Sequence, residues 1–229
     1  MNRKLSRLLA LLAGIVLLLG CFWVVANMPA FTAKGAFHRA ERRQLLQEST
    51  FLDAIFLADI HYSGRDVMNG KLFVHTGVGV TETALHTTEL CNKKPLMWYN
   101  DEQMVTIPLT GDLTAEWNPW CAEVQDIGVL VYSPLDFHHG FVTVVVGDLE
   151  FDQEFSATET GLANVTFPRL GSNPALDEER QQITWRQYDL RSVGYDKSQK
   201  SRDVTLKVRL LDKDGNELAN LKRLYPKYE

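Results

Sequence analysis

The chain has 229 residues, of which 45% are hydrophobic and 23% are charged. This length and this share of apolar residues are typical of one ordinary domain with an appendage, and they exclude a disordered chain. The 15 glycines and 8 prolines are too few for a collagen-like protein. A protein with several membrane spans is also excluded, because the sequence contains only one long uncharged apolar run.

That apolar run predicts a membrane anchor. No charged residue occurs between Arg7 and Lys34, and residues 8–28, as a helix, are long enough to cross a hydrocarbon core of about 30 Å. The basic residues before the run favour a cytoplasmic tail over residues 1–7. The sequence therefore predicts a single-pass signal anchor in the cell membrane, with the C-terminal domain outside the cytoplasm.

Two alternatives stay open for the apolar run. The basic tail and the sequence Val24-Val25-Ala26 suit a signal peptide that is cleaved, although the run exceeds the usual apolar length of about 7 to 15 residues. The stretch from Leu18 to Cys21 resembles the lipobox of bacterial lipoproteins, which implies acylation of Cys21. The apolar residues directly after Cys21 disagree with that resemblance, because a processed lipoprotein normally becomes polar there.

The segment that follows, residues 29–50, predicts a basic amphipathic helix. Phe37, Ala40 and Leu45 recur close to helical spacing, and arginines occupy the opposite face. We expect this juxtamembrane helix to lie on the membrane surface or, as the alternative, to form a solvated stalk.

Charge is divided along the chain. The first fifty residues contain seven lysines and arginines against two glutamates, whereas the remainder has an excess of acidic residues. A basic segment next to an acidic body predicts that the first part contacts anionic lipid and that the second stays solvated. Nucleic acid is not expected as a partner of the acidic part.

From residue 51 onward, apolar residues recur with the period of two that is typical of strands. Turn residues separate these runs, and Asp214-Gly215 is a strong hairpin signal. The pattern predicts one antiparallel β-sandwich over residues 51–229, immunoglobulin-like in the broad sense. The clearest runs are Val105 to Leu109, Ile127 to Val131, Phe141 to Val145 and Val204 to Leu210.

Two cysteines, Cys91 and Cys121, lie outside the apolar run. In an exported domain a lone pair predicts one disulfide. Such a bond would close a loop of about 30 residues and stabilise the fold by about 3 to 4 kcal/mol in the chain-entropy model. The alternative is a pair of buried thiols that pack as small apolar side chains.

A run of alternating carboxylates is the most regular polar feature. In a strand all four acids would point to one side, where they need solvent, basic partners or a cation. We expect a solvated strand face, or one that faces Lys207 and Arg209 across the sheet, and the alternative is a calcium-dependent binding module. The four residues are Asp148, Glu150, Asp152 and Glu154.

No catalytic or cofactor fingerprint occurs in the sequence, so neither an enzyme nor a cofactor is expected. The residues before Cys91 resemble, in part, the catalytic cysteine strand of sortases, but Pro95 follows too soon for that strand to continue. An enzyme of unrecognised type that uses Cys91 or a histidine is the remaining alternative.

Four aromatic residues near the cysteines predict a binding surface: Trp98, Tyr99, Trp117 and Trp120. Exposed rings on loops stack on sugars or peptides. The alternative is that these rings fill the core. We expect a non-catalytic, membrane-tethered module outside the cytoplasm that binds a protein or an envelope polymer.

One resemblance concerns residues 36–43, Ala-Phe-His-Arg-Ala-Glu-Arg-Arg. This stretch is similar to the juxtamembrane segment of uncharacterised bacterial single-pass membrane-anchored proteins. The resemblance implies an anchored architecture, and it implies no activity.

Overall fold

The computed structural model describes residues 12–21, 30–64, 67–94, 97–100, 103–121, 127–168, 173–189 and 201–227. Within them the chain is mainly β, and every strand pairing is antiparallel. The helices are α1 (residues 12–21), α2 (Ala33–Arg43) and α3 (Asp177–Asp189), with a short 3₁₀ turn at Pro174–Leu176.

Twelve strands form three sheets within these described ranges. In chain order the strands are β1 (Thr50–Gly64), β2 (Val67–Val80), β3 (Ala84–Lys94), β4 (Met97–Tyr99), β5 (Val105–Pro108), β6 (Thr114–Trp117), β7 (Gly128–Tyr132), β8 (His139–Val146), β9 (Leu149–Ser156), β10 (Leu162–Thr166), β11 (Val204–Leu211) and β12 (Glu217–Tyr225). Sheet A has the order β1-β2-β3, with β4 and β5 both paired to β3. Sheet B has the order β10-β7-β6, and sheet C has the order β12-β11-β8-β9.

Sheet B is the middle layer. On β7, Val129 and Val131 belong to the core shared with sheet C, whereas Leu130 belongs to the core shared with sheet A. A strand that is buried on both faces is expected to be apolar without alternation, as residues 127–131 are. The mainly β, antiparallel part of the prediction is confirmed, but the predicted sandwich is wrong, because three stacked sheets form the fold where a sandwich has two.

Sheet C shows the alternation that the sequence predicts. Val204, Leu206 and Val208 of β11 are fully buried, whereas Lys207 and Arg209 lie on the opposite face. Burial of each such side chain contributes roughly 1.5 to 3 kcal/mol. One face of sheet C thus closes the core, and the other meets solvent.

The hairpin between β11 and β12 has the predicted turn at Asp214-Gly215. Gly215 has a φ of 84°, a conformation that glycine adopts without steric cost. The Asp212 carboxylate accepts the backbone N–H groups of Asp214 and Asn216, both at 2.8 Å. Hydrogen bonds from Asn216 are the largest cause of a lowered pKa for Asp212, so this turn keeps an ionised cap.

Helix α2 packs on the outer face of sheet A. Thr32 caps it by accepting the N–H of Gly35 at 3.0 Å. Its Phe37 ring is fully buried above Gly77 and Gly79, where an added Cβ would lie 2.9 and 2.8 Å from the ring. The expectation of a membrane-surface or stalk helix is therefore wrong, because α2 buries its apolar side in this domain.

The predicted membrane span also needs correction. Only residues 12–21 of it are described, and they form a helix about 15 Å long, half of a hydrocarbon core of roughly 30 Å. No helix among the described ranges is long and apolar enough to cross a membrane. The structure thus contradicts the single-pass anchor and the membrane localisation based on it. Residues 1–11 and 22–29 lie outside the described ranges.

The predicted disulfide is absent, because Cys91 and Cys121 are both thiols. Cys91 lies on β3 in sheet A, where its sulfur donates to Glu89 Oε1 at 3.0 Å. Cys121 is buried beside sheet B, where its sulfur occupies the space that a side chain on Gly128 would need. The two sulfurs have different neighbours on different sheets, and the alternative of separate thiols is the one observed.

Candidate functional site

Two of the four aromatic residues predicted to bind a ligand lie in the core. Trp117 is fully buried between sheets B and C. Trp120 is fully buried between sheets A and B, where its Nε1 donates to Thr87 Oγ1 at 3.1 Å. Both rings therefore fill the core, as the alternative interpretation of the sequence has it. A ligand cannot reach them there.

The other two, Trp98 and Tyr99, are half-buried on β4 at the edge of sheet A. In the register, Trp98 lies opposite Asn92 and Tyr99 lies opposite Cys91. Successive residues of a strand point to opposite faces. Trp98 is therefore on the outer face of sheet A, the face that α2 packs against, and Tyr99 is on the other.

Trp98 ends a row of rings across three strands, which we call the aromatic row: Phe56, Phe73, His75 and Trp98. The ring centroids of His75 and Trp98 are 4.8 Å apart, those of Phe56 and His75 are 5.5 Å apart, and those of Phe56 and Phe73 are 6.5 Å apart. The Phe56 and His75 rings meet edge to face at 69°, an arrangement that aromatic pairs prefer, and the other two pairs are tilted by 51 and 59°. Phe56 is 54% exposed, and the other three are half-buried.

Strand register explains why these rings meet. Phe56 of β1 lies directly opposite His75 of β2, while Phe73 lies opposite Asn92, which in turn lies opposite Trp98. Directly opposed side chains on one face come within about 4.5 to 5.5 Å at Cβ. Helix α2 covers the glycine pair farther along β2, so the aromatic row begins where the helix stops.

Two polar atoms lie under the aromatic row. His75 Nδ1 and Asn92 Oδ1 are buried, and neither has a hydrogen-bond partner among the described residues. Nearly all such atoms in native proteins are paired, and leaving one unpaired costs about 1 to 3 kcal/mol. Burial lowers the pKa of His75, and it outweighs the opposing influence of the Phe73 backbone and the Asp53 carboxylate. The row therefore presents a neutral imidazole at neutral pH.

A second polar cluster, which the sequence reasoning missed, joins α2 to sheet A. The fully buried Glu41 carboxylate lies 2.7 Å from His38 Nδ1 and 2.8 Å from His86 Nδ1, and it accepts the backbone N–H of Ser49 at 3.1 Å. Burial raises the pKa of Glu41, but the hydrogen bonds from Ser49, His38 and His86 outweigh it and lower the pKa overall. An ionised carboxylate only accepts, so both Nδ1 atoms donate. This cluster fixes the helix to the sheet.

The predicted acidic stripe forms an outward strand face. Glu150, Asp152 and Glu154 of β9 are exposed, whereas Phe151 and Phe155 turn toward the core. Asp148 lies in the turn before β9. The alternation follows from the two-residue period of a strand. This arrangement is a solvated strand face, as we expect from the sequence.

Two of these acids have partners, one in an ion pair with a lysine and the other in a hydrogen bond with a threonine hydroxyl. Lys207 Nζ lies 2.9 Å from Glu150 Oε1, and Thr143 Oγ1 donates to Asp152. Thr143 lies on β8, the neighbour of β9, and Lys207 lies on β11, the next strand of sheet C. No group of three or more histidine, cysteine, aspartate or glutamate side chains could hold a metal ion in the described part of the chain. The geometry therefore does not support the calcium alternative.

Added calcium is expected to leave the melting temperature unchanged, because a bound ion stabilises a fold only through a site that the native state provides. Thermal denaturation with millimolar calcium, compared with the same protein in chelator, measures this directly. A rise in melting temperature that Asp152→Asn removes would show that the stripe does bind the ion.

The alternative of Cys91 as a nucleophile gains nothing from its surroundings. Its sulfur donates to the Glu89 carboxylate at 3.0 Å. Cysteine reacts as the thiolate, which electropositive surroundings stabilise. A carboxylate at this distance opposes a negative charge on sulfur, so the contact favours an unreactive thiol.

The contacts described above account for the three stacked sheets and for the aromatic row. The resemblance of residues 36–43 to uncharacterised bacterial proteins stays a prediction. It gains no further support, because no family model, no curated protein and no solved structure matches the chain.

Proposed function

We propose that the chain is a non-catalytic binding module whose ligand contacts the aromatic row. The observation that carries this proposal is a row of large rings on the part of sheet A that α2 leaves uncovered, with Phe56 54% exposed. Contiguous apolar surface of this kind marks interaction sites more often than scattered apolar residues do. Aromatic side chains also supply large contact areas at low conformational cost.

The ligand class that suits the row is a neutral carbohydrate polymer. Sugar rings offer apolar C–H faces to aromatic rings, and their hydroxyls both donate and accept hydrogen bonds. Asn92 Oδ1 provides an acceptor and the neutral His75 imidazole a second polar group. Both atoms are buried, so the exposed Phe56 ring makes the first contact with the ligand.

Binding to an array of neutral oligosaccharides tests the proposal, with an array of peptides as the comparison. We expect the protein to bind a member of the first array. Phe56→Ala and Trp98→Ala should each weaken that binding about tenfold or more, which corresponds to roughly 1.4 kcal/mol or more. Phe31→Ala is the matched control, since Phe31 is 72% exposed and lies outside the row.

The variants separate binding from folding. Phe56 is exposed, so we expect Phe56→Ala to keep the fold. This variant therefore tests whether the row binds the ligand, even if Trp98→Ala disturbs β4. Binding to peptides alone would replace the carbohydrate by a protein ligand. If neither array binds, or if Phe56→Ala binds as well as the unaltered protein, the aromatic row is not the ligand site.

A further inference from the structure

Two neighbouring histidines, His138 and His139, meet at the start of β8. Their Nδ1 atoms lie 3.2 Å apart, and their rings stand at 89° with the centroids 5.5 Å apart. Consecutive residues within a strand point to opposite faces, but His138 lies in the bend just before β8 begins at His139. The bend therefore brings together two side chains that a regular strand would separate.

Sheet C fixes the backbone of both histidines. The His138 N–H donates to the Leu211 carbonyl at 2.8 Å, and the Ala157 N–H donates to the His138 carbonyl at 3.1 Å. In the register, His139 lies opposite Ser156 of β9 on one side and opposite Leu211 of β11 on the other. Side chains attached to strands are placed more precisely than side chains on loops. The two imidazoles are therefore carried by a backbone that is held on both sides.

Packing on the outer face of sheet C orients the second of these rings. His139 and Phe141 are two residues apart on β8, and both are half-buried, whereas Gly140 and Val142 are buried. The His139 and Phe141 rings meet edge to face at 79°, with the centroids 5.8 Å apart. His138 itself is exposed. The pair therefore lies at the surface, where an ion in solution has access to it.

The distance between the two Nδ1 atoms matches that between two imidazoles bound to one metal ion. Bonds from a metal to imidazole nitrogen are about 2.0 to 2.1 Å long. With an angle of about 90 to 109° between two such bonds, the nitrogens lie about 2.8 to 3.4 Å apart. The observed 3.2 Å falls within that range. Imidazole is also the side chain that zinc, copper and nickel ions commonly bind.

A hydrogen bond between the two rings accounts for the same distance, with one Nδ1 donating and the other accepting. At an exposed residue such a bond adds little to stability, because water offers each nitrogen an equivalent partner. The pairing of sheet C, rather than this bond, holds the two residues in place. The pair therefore forms without an ion, and it already has the spacing that an ion requires.

We propose that His138 and His139 bind one divalent transition-metal ion through their two Nδ1 atoms. Each Nδ1 then offers a lone pair, and the ring proton resides on Nε2. Water fills the remaining coordination positions, as it does in metal sites with few protein ligands. Nickel(II) and copper(II) should bind more tightly than manganese(II), in the usual order of affinities. This site has two protein ligands, so it is smaller than the clusters of three or more that the described residues lack.

Calorimetric titration of the full chain, without a polyhistidine tag, with nickel(II) tests the site. Nickel is the probe because, unlike copper(II), it does not oxidise the free thiols of the chain. We expect one ion per chain. His138→Ala and His139→Ala should each raise the dissociation constant about tenfold or more, since each removes one of the two ligands. His61→Ala is the matched control, because it removes a histidine of β1 in sheet A, and it should leave the affinity unchanged.

Nuclear magnetic resonance locates the ion in the unaltered chain. Nickel(II) is paramagnetic, so it broadens the amide signals of residues close to it. We expect the signals of His139 and of its register partners Ser156 and Leu211 to be lost first. The signals of sheet A should keep their intensity, because sheet B separates sheet A from sheet C. This measurement needs no substitution, so it does not depend on how a variant folds.

Three outcomes would overturn the proposal. The first is no binding of nickel(II) at millimolar concentration. The second is a loss of affinity in only one of the two histidine variants, which indicates an adventitious ion on a single exposed histidine. The third is unchanged affinity in both variants, with signals lost elsewhere in the chain. None of these results bears on the aromatic row, which lies on sheet A.

Discussion

Replacing Phe37 by alanine is expected to lower the free energy of unfolding by about 3 to 5 kcal/mol, the usual cost of truncating a buried phenylalanine. The Phe37 side chain has no exposed surface, and its ring lies 5.3 Å from the Phe51 ring, centroid to centroid. Gly77 and Gly79 leave the room that the ring occupies. Alanine would leave a cavity that the paired strands below cannot close.

Urea denaturation at neutral pH measures this loss. Phe31→Ala is the control, because it removes the same ring at a site that is 72% exposed, and it should change stability by less than about 0.5 kcal/mol. Equal and small effects of the two substitutions would show that α2 is not packed on sheet A. The contrast matters more than either value, since the two changes are chemically identical.

Replacing Glu41 by alanine is expected to cost a similar amount, about 3 to 5 kcal/mol, because it removes the common acceptor of several buried donors. His38 Nδ1, His86 Nδ1 and the N–H of Ser49 all donate to this carboxylate. Glu48→Ala is the control. The Glu48 side chain is 62% exposed and lies 3.8 Å from His38, so its removal should be nearly neutral.

The same cluster gives stability a pH dependence of known sign. The folded-state pKa of Glu41 is lowered from the ordinary value of 4.5, so the unfolded chain binds the proton more tightly. The stabilisation is therefore present above about pH 4.5 and is lost as the pH falls through the lower, folded pKa. Glu41→Gln should remove this component, since an amide does not titrate in that range.

Denaturation of the unaltered chain and of Glu41→Gln from pH 7 to pH 3 tests this dependence. The stability difference between the two proteins should be constant near neutrality and should shrink below pH 4.5. A difference that stays constant to pH 3 would mean that folding does not shift the pKa of Glu41.

The sequence predicts the local structure well because that structure depends on neighbours along the chain. The alternation in β11 follows from side-chain periodicity, and so does the turn at Gly215. The outward acids of β9 and their partner Lys207 follow from the same rule. Strand β8 shows its limit, since Phe141 and Val145 lie on the outer face while Val142 and Val144 fill the core. An apolar strand does not reveal which face is buried.

The stacking of the sheets and the aromatic row could not be predicted, because both depend on contacts distant in sequence. Trp98 and Trp117 look alike in the sequence, yet one lies on a sheet edge and the other between two sheets. The sequence did contain one indication of the buried Glu41 cluster. Glu41 follows Phe37 by four residues, so the two side chains share one face of the helix. Its partner His86 is 45 residues away, and no local pattern connects the two.

The position of sheet B has a consequence for folding. Its strands β7 and β10 pair with each other, although the β8–β9 hairpin of sheet C lies between them in the chain. The middle sheet therefore forms across that insertion, and it buries both of its faces only when the two outer sheets cover it. Contacts of such sequence separation slow the search for the native state. We therefore expect the three sheets to unfold in one cooperative transition.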